Sequence, residues 1–333
     1  LDVSTHPKYR RPLVLNLPKL ERLVITGVQA HVVAPKLTVM ESFGVFCYDF
    51  NGLFQFTPAL RTFDFESEED PVDEIDFVER ALSASAPLLP VLECFDVTGY
   101  FSSCFVKALA TAAPNLRCLC ISVSRMHEHD WLHALTRMPH LECLSINFEA
   151  RPRENSLLVD FCEEKAPLPT LPLTLAHLRE FSFCVSKDVD VREVAQLLLA
   201  IDAPSLTDLW HFGDSAQLRD YDSSICVEHA REGPEVRLPQ TLLRYVETLS
   251  ASLNAESALN MLTASSTPAL RTGSLSAVDE DELEALAQVI RERRDVSFTL
   301  HASSDHTPER RAHLAQALLV FCGGAVDNVR WNN

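Results

Sequence analysis

Glycine is scarce in this chain, with nine in 333 residues. A loop-rich all-β barrel draws heavily on glycine turns, so the count argues against one. No apolar run approaches the roughly 18 residues that a membrane-spanning helix needs. No Asn-x-Ser/Thr acceptor occurs. Basic residues are also in deficit, 29 Lys plus Arg against 47 acids, for a net charge of −18. That balance disfavours nucleic acid and anionic membrane as partners, because both need a basic face. It permits a basic protein partner. Gly-rich phosphate loops, GxSxG elbows and CxxC pairs are all missing, and with them the usual signatures of nucleotide, hydrolytic and metal chemistry.

What is present is apolar and repetitive. The hydrophobic fraction is 47%, enough for a large core. Ten cysteines are spread singly through apolar phrases rather than clustered. They read as small apolar residues of a reducing compartment, which predicts an intracellular, cytoplasmic or nuclear protein. One phrase recurs: small or apolar, Pro, any, Leu, any, any, apolar, any, apolar. It appears as Leu20-Leu23-Ile25, Leu60-Phe63-Phe65, Leu92-Phe95-Val97, Leu116-Leu119-Ile121 and Leu141-Leu144-Ile146. Leu178-Phe181-Phe183 and Leu206-Leu209-His211 follow, with weaker copies at Pro35 (Leu37, Met40), near Pro239 (Leu242, Tyr245) and at Pro268 (Leu270, Gly273, Leu275). The spacing between leading leucines varies, from 17 residues between Leu20 and Leu37 to 37 between Leu141 and Leu178.

Periods of roughly 20 to 30 residues with this signature belong to leucine-rich repeats. In a strand the last two apolar positions share one face, which a lone strand cannot bury but a stack of copies can. Proline is expected at each strand start, where no N–H is needed. Intervening segments with helical periodicity are Ile75 to Leu82, Ser103 to Ala112, Asp130 to Met138, Val189 to Ile201, Ser257 to Ala264, Asp279 to Arg293 and Pro308 to Phe321. Thr307 is the expected cap of the last, and Arg291, Arg293 and Arg294 are expected to close the one before it. The expected fold is an α/β leucine-rich repeat solenoid, a horseshoe like that of ribonuclease inhibitor. Parallel strands line its concave face and helices its convex face. It forms a single domain over residues 1–333, with insertions at about 66–88 and 149–175 and a closing cap at 276–333.

Several clusters invite a chemical reading. His127-Glu128-His129-Asp130 with His133 could offer two imidazoles at i,i+4, but the HExxH order is not met, so a polar helix start is preferred. Cys94, Cys118 and Cys143 share a column, yet three thiols in a line make no tetrahedral site. The acidic run from Glu66 to Glu74 lacks the glycine and oxygen spacing of a calcium loop and reads as a solvated loop. Gly323-Gly324 reads as a helix stop. No catalytic residue, metal ligand or cofactor is therefore assigned, and no enzyme activity is expected.

A stacked sheet would leave the residues between the apolar positions free to meet a partner. Its binding face is expected from Asp64, Asp96, Cys118, Cys120, Ser145, Glu180, Ser182, Asp208, Trp210 and Phe212. Arg22, Val24, Thr62, Cys94 and Cys143 flank them, and Glu66, Thr98, Ser122, Asn147 and Cys184 extend the face by one position. Trp210 either anchors a partner protein there or, if its copy twists, packs in the core.

The phrases LPKLERLVITG, APNLRCLCISV, MPHLECLSINF and APSLTDLWHFG resemble the degenerate repeats of F-box-associated leucine-rich proteins, above all the divergent set of mushroom-forming fungi. The resemblance covers about residues 12 to 300. It implies the substrate-recognition repeats of a ubiquitin ligase receptor, with a protein substrate on the concave face. Residues 1–16 are too few for an F-box bundle, so a Skp-type adaptor is a partner only if that segment lies upstream of Leu1. The alternatives are a repeat scaffold unrelated to ubiquitin ligases, or an enzyme with its site in the inserted loops.

Overall fold

The computed structural model describes residues 2–4, 13–26, 30–43, 54–66, 78, 81–84, 86–101, 103–123, 130–148, 173–185, 194, 197–212, 240–252, 262–278, 280, 283–302, 307–322 and 328–332. It is a mixed α/β chain dominated by parallel sheet. The chain divides into two compact units, Leu1–Ile146 with Arg151–Pro169, and Asn147–Ala150 with Thr170–Asn333. Each is taken in turn.

The first unit contains β1 (Asp2–Ser4), β2 (Leu13–Asn16), β3 (Arg22–Thr26), β4 (Ala30–Val33), β5 (Val39–Phe43), β6 (Thr62–Glu66), β7 (Cys94–Phe101), α1 (Ser103–Ala112), β8 (Cys118–Val123), α2 (Asp130–Leu135) and β9 (Cys143–Phe148), within which the boundary falls. The ladder runs β1-β3-β5-β6-β7-β8-β9. Registers are parallel and in phase: Leu23 faces Met40, which faces Phe63, then Phe95, then Leu119. These residues and their partners two positions on, Ile25, Phe65, Val97 and Ile121, are fully buried. Aromatic rings tie successive copies together, Phe54 to Phe63 at 5.5 Å, Phe63 to Phe95 at 5.7 Å and Phe95 to Phe105 at 5.9 Å.

The repeated phrase is a turn before it is a strand. The N–H of Leu20 donates to the Leu17 carbonyl at 3.1 Å, Leu60 to Thr57 at 3.1 Å, Leu92 to Leu89 at 3.2 Å and Leu116 to Ala113 at 3.2 Å. Proline is the second residue of each turn, where its φ near −65° is pre-set for the geometry. This corrects the expectation of a proline at the strand start. Pro58 stands four residues before Thr62 and Pro90 four before Cys94, because every N–H of the ladder is needed and proline has none. Immediately after the turn, one carbonyl accepts two N–H groups from the next copy. Glu21 O accepts from Thr38 and Val39, Thr38 O from Arg61 and Thr62, Arg61 O from Glu93 and Cys94, and Arg117 O from Glu142 and Cys143, at 2.8–3.1 Å.

Not every return segment is helical. β3 spans about 17 Å, and a helix rising about 1.5 Å per residue needs about 11 residues to come back. Between β3 and the turn at Ala34 lie only residues 27–33, too few for such a helix; Ala30–Val33 is extended instead, and β4 pairs with β2 in a separate parallel sheet. Where the spacing allows, the helix forms: α1 follows β7 over the residues expected from periodicity.

The second unit contains β10 (Leu173–Thr174), β11 (Glu180–Val185), β12 (Ile201–Asp202), β13 (Asp208–Phe212), α3 (Gln240–Leu243), β14 (Thr248–Ser252), β15 (Thr272–Val278), α4 (Leu283–Glu292), β16 (Ser297–Ala302), α5 (Pro308–Phe321) and β17 (Val329–Asn332). Its ladder runs β11-β13-β14-β15-β16-β17, again parallel. Thr307 caps α5, its side chain accepting from the Arg310 N–H at 3.3 Å. Three sequence expectations shift. The helix expected to reach Ile201 stops by Leu199, and Ile201 pairs with Leu173 instead, since Pro204 holds the approach to its turn extended. Residues 262–264 are bends and turn rather than helix. The copy placed at Leu242 and Tyr245 is four residues out of phase: its turn is Leu243-Arg244-Tyr245-Val246, so Val246 leads and Leu249 turns inward, while Tyr245 is left 41% exposed. Among the described residues no helix is long and apolar enough to cross a membrane.

Two positions break the template and are compensated by neighbours. Gly273 occupies an inward site, where an added Cβ would stand 3.0 Å from the Phe298 ring. Arg293 occupies the first turn position, held in other copies by Ala, Thr, Leu or Met. It is 2% exposed, so it does not act as a solvated charge at the helix end. Its Nη1 donates to Leu262 O at 3.0 Å and Thr267 Oγ1 at 3.1 Å, and its Nη2 to Thr267 O at 3.2 Å and Leu270 O at 3.3 Å. Nε and Nη2 fork onto Asp295 at 3.2 and 3.3 Å. Every donor of the guanidinium is thus used. Asn328 then ties β17 to this turn, donating to Val296 O at 2.8 Å.

Arg293→Met should lower the unfolding free energy of this unit by about 3 kcal/mol, because buried carbonyls lose their donors; urea unfolding measures it. The hydrogen bond from Arg293 holds the Asp295 carboxyl below its ordinary value. Its stabilisation is therefore full above the unfolded value of about 3.9 and fades as pH falls through the lower folded one. Asp295→Asn should flatten that acid limb. Gly273→Ala should cost about 1–3 kcal/mol by overpacking, and adding Phe298→Leu should recover part of it, read by a thermal double-mutant cycle.

Candidate binding face

Strand alternation places the side chains between the buried positions on one face of each ladder. In the first unit they form two rows. One reads Arg22, Val39, Thr62, Cys94, Cys118; the other reads Val24, Glu41, Asp64, Asp96, Cys120. Apart from Arg22, which is exposed, these side chains are half-buried, and so are Cys143 and Ser145 on β9. Arg22 pairs with Glu41 at 2.6 Å. Asp64, Asp96, Cys118, Cys120 and Ser145 therefore take the face expected of them.

The Cys94 thiol is pushed far up from its ordinary value. A hydrogen bond with Cys118 is the largest cause, followed by burial and the neighbouring Cys118, Asp96 and Asp64 charges. It stays a neutral thiol, neither nucleophile nor thiolate ligand. Among the described residues no group of three His, Cys, Asp or Glu is placed to hold a metal ion. His127, Glu128 and His129, the acidic run from Ser67 to Glu74, Gly323-Gly324 and nearly all of the second insertion lie outside the described residues.

In the second unit one row reads Glu180, Asp208, Thr248, Thr272, Ser297 and the other Ser182, Trp210, Ser250, Ser274, Thr299, Arg330. The rows are rich in hydroxyls, and Trp210 is the large ring among them. It stands 39% exposed between Ser182 and Ser250, so it faces outward rather than packing in the core. Asp208 is half-buried, its carboxylate held by the Thr207 hydroxyl at 2.7 Å, and Glu180 is exposed. Phe212 is placed by its ladder register alone, opposite Cys184.

Among the described side chains, the extension of the face by one position fails at Asn147 and Cys184, and the side chains of Glu66, Thr98 and Ser122 lie outside the described residues. Asn147 and Cys184 are buried, because β9 and β11 end in runs of consecutive buried residues where the alternation is lost. Sequence reasoning also missed a row of opposite charges at the clamp position. Arg61 meets Glu93 at 3.0 Å, Arg117 meets Glu142 at 3.7 Å and Arg271 meets Glu247 at 3.8 Å. The signal was the residue after each leading leucine, where opposite charges fall in neighbouring copies. Such exposed pairs contribute about 0–1 kcal/mol each, so they serve register more than stability. In an alkylation time course read by mass spectrometry, exposed Cys104 should react early and Cys94 well after it; labelling of Cys94 as early as Cys104 would contradict the neutral thiol.

No family model matches the chain, and no curated protein matches it. Among solved structures it is similar to a protein from Bacteroides fragilis, with 13% identity and a TM-score of 0.35, over 87% of this chain and 67% of that one. A likeness of that size says nothing about activity or partner.

Proposed function

We propose that this chain is a non-enzymatic protein-interaction module, a leucine-rich repeat solenoid whose strand face receives a protein. We place it as the substrate-recognition repeats of an F-box-type ubiquitin ligase receptor, working inside the cell. The repeat reading is supported by one turn, clamp and parallel strand recurring in both units. The observation that carries the binding reading is Trp210, a large apolar ring 39% exposed between Ser182 and Ser250. Exposed aromatics ringed by small polar groups are the usual anchors of protein interfaces. The ligase branch rests on the resemblance of the phrases and on a Skp-type adaptor docking a segment upstream of Leu1.

Affinity purification of the full-length protein tests both parts. The adaptor should be recovered in stoichiometric amount, and its absence at matched expression removes the ligase branch. Trp210→Ala should reduce recovery of bound substrate about tenfold or more while circular dichroism stays unchanged. A Trp210→Ala chain that keeps every partner ends the docking reading.

A further inference from the structure

Resting on that docking reading, we propose that Trp210 receives a cationic side chain, an arginine or lysine carried by an extended basic segment of the partner protein. Three side chains define the subsite. Trp210 and Asp208 lie two residues apart on β13, so both project from the same face, about 6.6 Å apart along the strand. Glu180 stands opposite Asp208 on the neighbouring strand, about 4.8 Å away across the ladder. A cation laid over the indole thus has two carboxylates within reach of its N–H groups. The quadrupole of the ring and the carboxylates attract the same charge.

The surroundings favour this occupant over an apolar one. Ser182 and Ser250 flank the ring with small hydroxyls, which leave its sides open and can accept further N–H donors. Asp208 is held in place by the neutral Thr207 hydroxyl, which orients the carboxylate without cancelling its charge. The following copy shows the same pairing satisfied from within: Arg244 sits 5.7 Å over the ring of Tyr245, itself 41% exposed. Among the described residues no cation covers Trp210. Arg330 shares its row but stands four ladder positions away, past Ser250, Ser274 and Thr299. A net charge of −18 draws a basic segment toward the protein before contact.

Two synthetic peptides test the assignment on the intact chain: N-acetyl-Gly-Arg-Gly-Arg-Gly-amide and its counterpart with citrulline at both arginines. Citrulline keeps the shape and loses the charge. Calorimetry gives the affinity, and the part of the emission change that Trp210→Ala removes reports the contact against the background of Trp131 and Trp331. The arginine peptide should bind about tenfold tighter than the citrulline peptide, and salt should weaken it. Trp210→Ala and Asp208→Asn should each remove about tenfold. Trp210→Phe should keep part of the affinity, and Glu309→Gln, a distant exposed acid on α5, should change nothing. Equal binding of the two peptides, binding of neither, or an arginine affinity indifferent to Trp210→Ala and Asp208→Asn would each overturn the cationic subsite. If substrate recovery still depends on Trp210 in that event, the docking reading survives; if Trp210→Ala also keeps every partner, both fall.

Discussion

A backbone carbonyl that recurs from copy to copy organises each unit. It belongs to the residue after the leading apolar position, and in most copies it accepts two successive N–H groups from the next copy; Arg271 O takes only that of Ser297. That clamp sits between a hydrogen-bonded turn and the first ladder residue, so it sets where the strand begins and which side chains turn inward. A slip of one residue would carry every Leu, Phe and Ile of the strand to solvent. Because a main-chain oxygen does the clamping, the side chain at that position is free to vary. It reads Glu21, Thr38, Arg61, Glu93, Arg117 and Glu142 through the first unit, and neighbouring charges pair across it.

The same logic explains which departures the fold tolerates. Gly273 leaves an inward position empty, and Phe298 from the next copy fills it. Arg293 puts a charge where a small residue usually sits, and three carbonyls, a hydroxyl and a carboxylate surround it. Each irregular residue is matched by a neighbour one copy away, so local rules fail only where a contact across the stack replaces them.

The outward face inherits its character from this arrangement. Backbone pairing and the buried side do the holding, so the outward residues can be small and polar: serine, threonine, cysteine and aspartate. In the first unit Cys94 on that face is held as a neutral thiol, and in the second small hydroxyls flank Trp210. A large exposed ring is costly in such a setting, which is the reason for assigning it a partner.

Much of this was legible in the amino-acid order alone. The spacing of Leu20, Leu23 and Ile25 and its recurrence determined the inward residues and the parallel pairing, because period-two alternation leaves one solution for a buried face. Thr307 before Pro308 determined the start of α5 through capping chemistry that acts within one turn. Only the tertiary structure decided the rest. Proline belongs to a turn because the ladder claims every N–H. The short loop after β3 returns as strand because a helix would not span it. Asn147 and Cys184 are covered where strands end without alternation, and Arg293 is buried by acceptors from residues 23 to 31 positions away. Local sequence carries local periodicity and caps; which distant atoms close over a residue is settled when the copies stack.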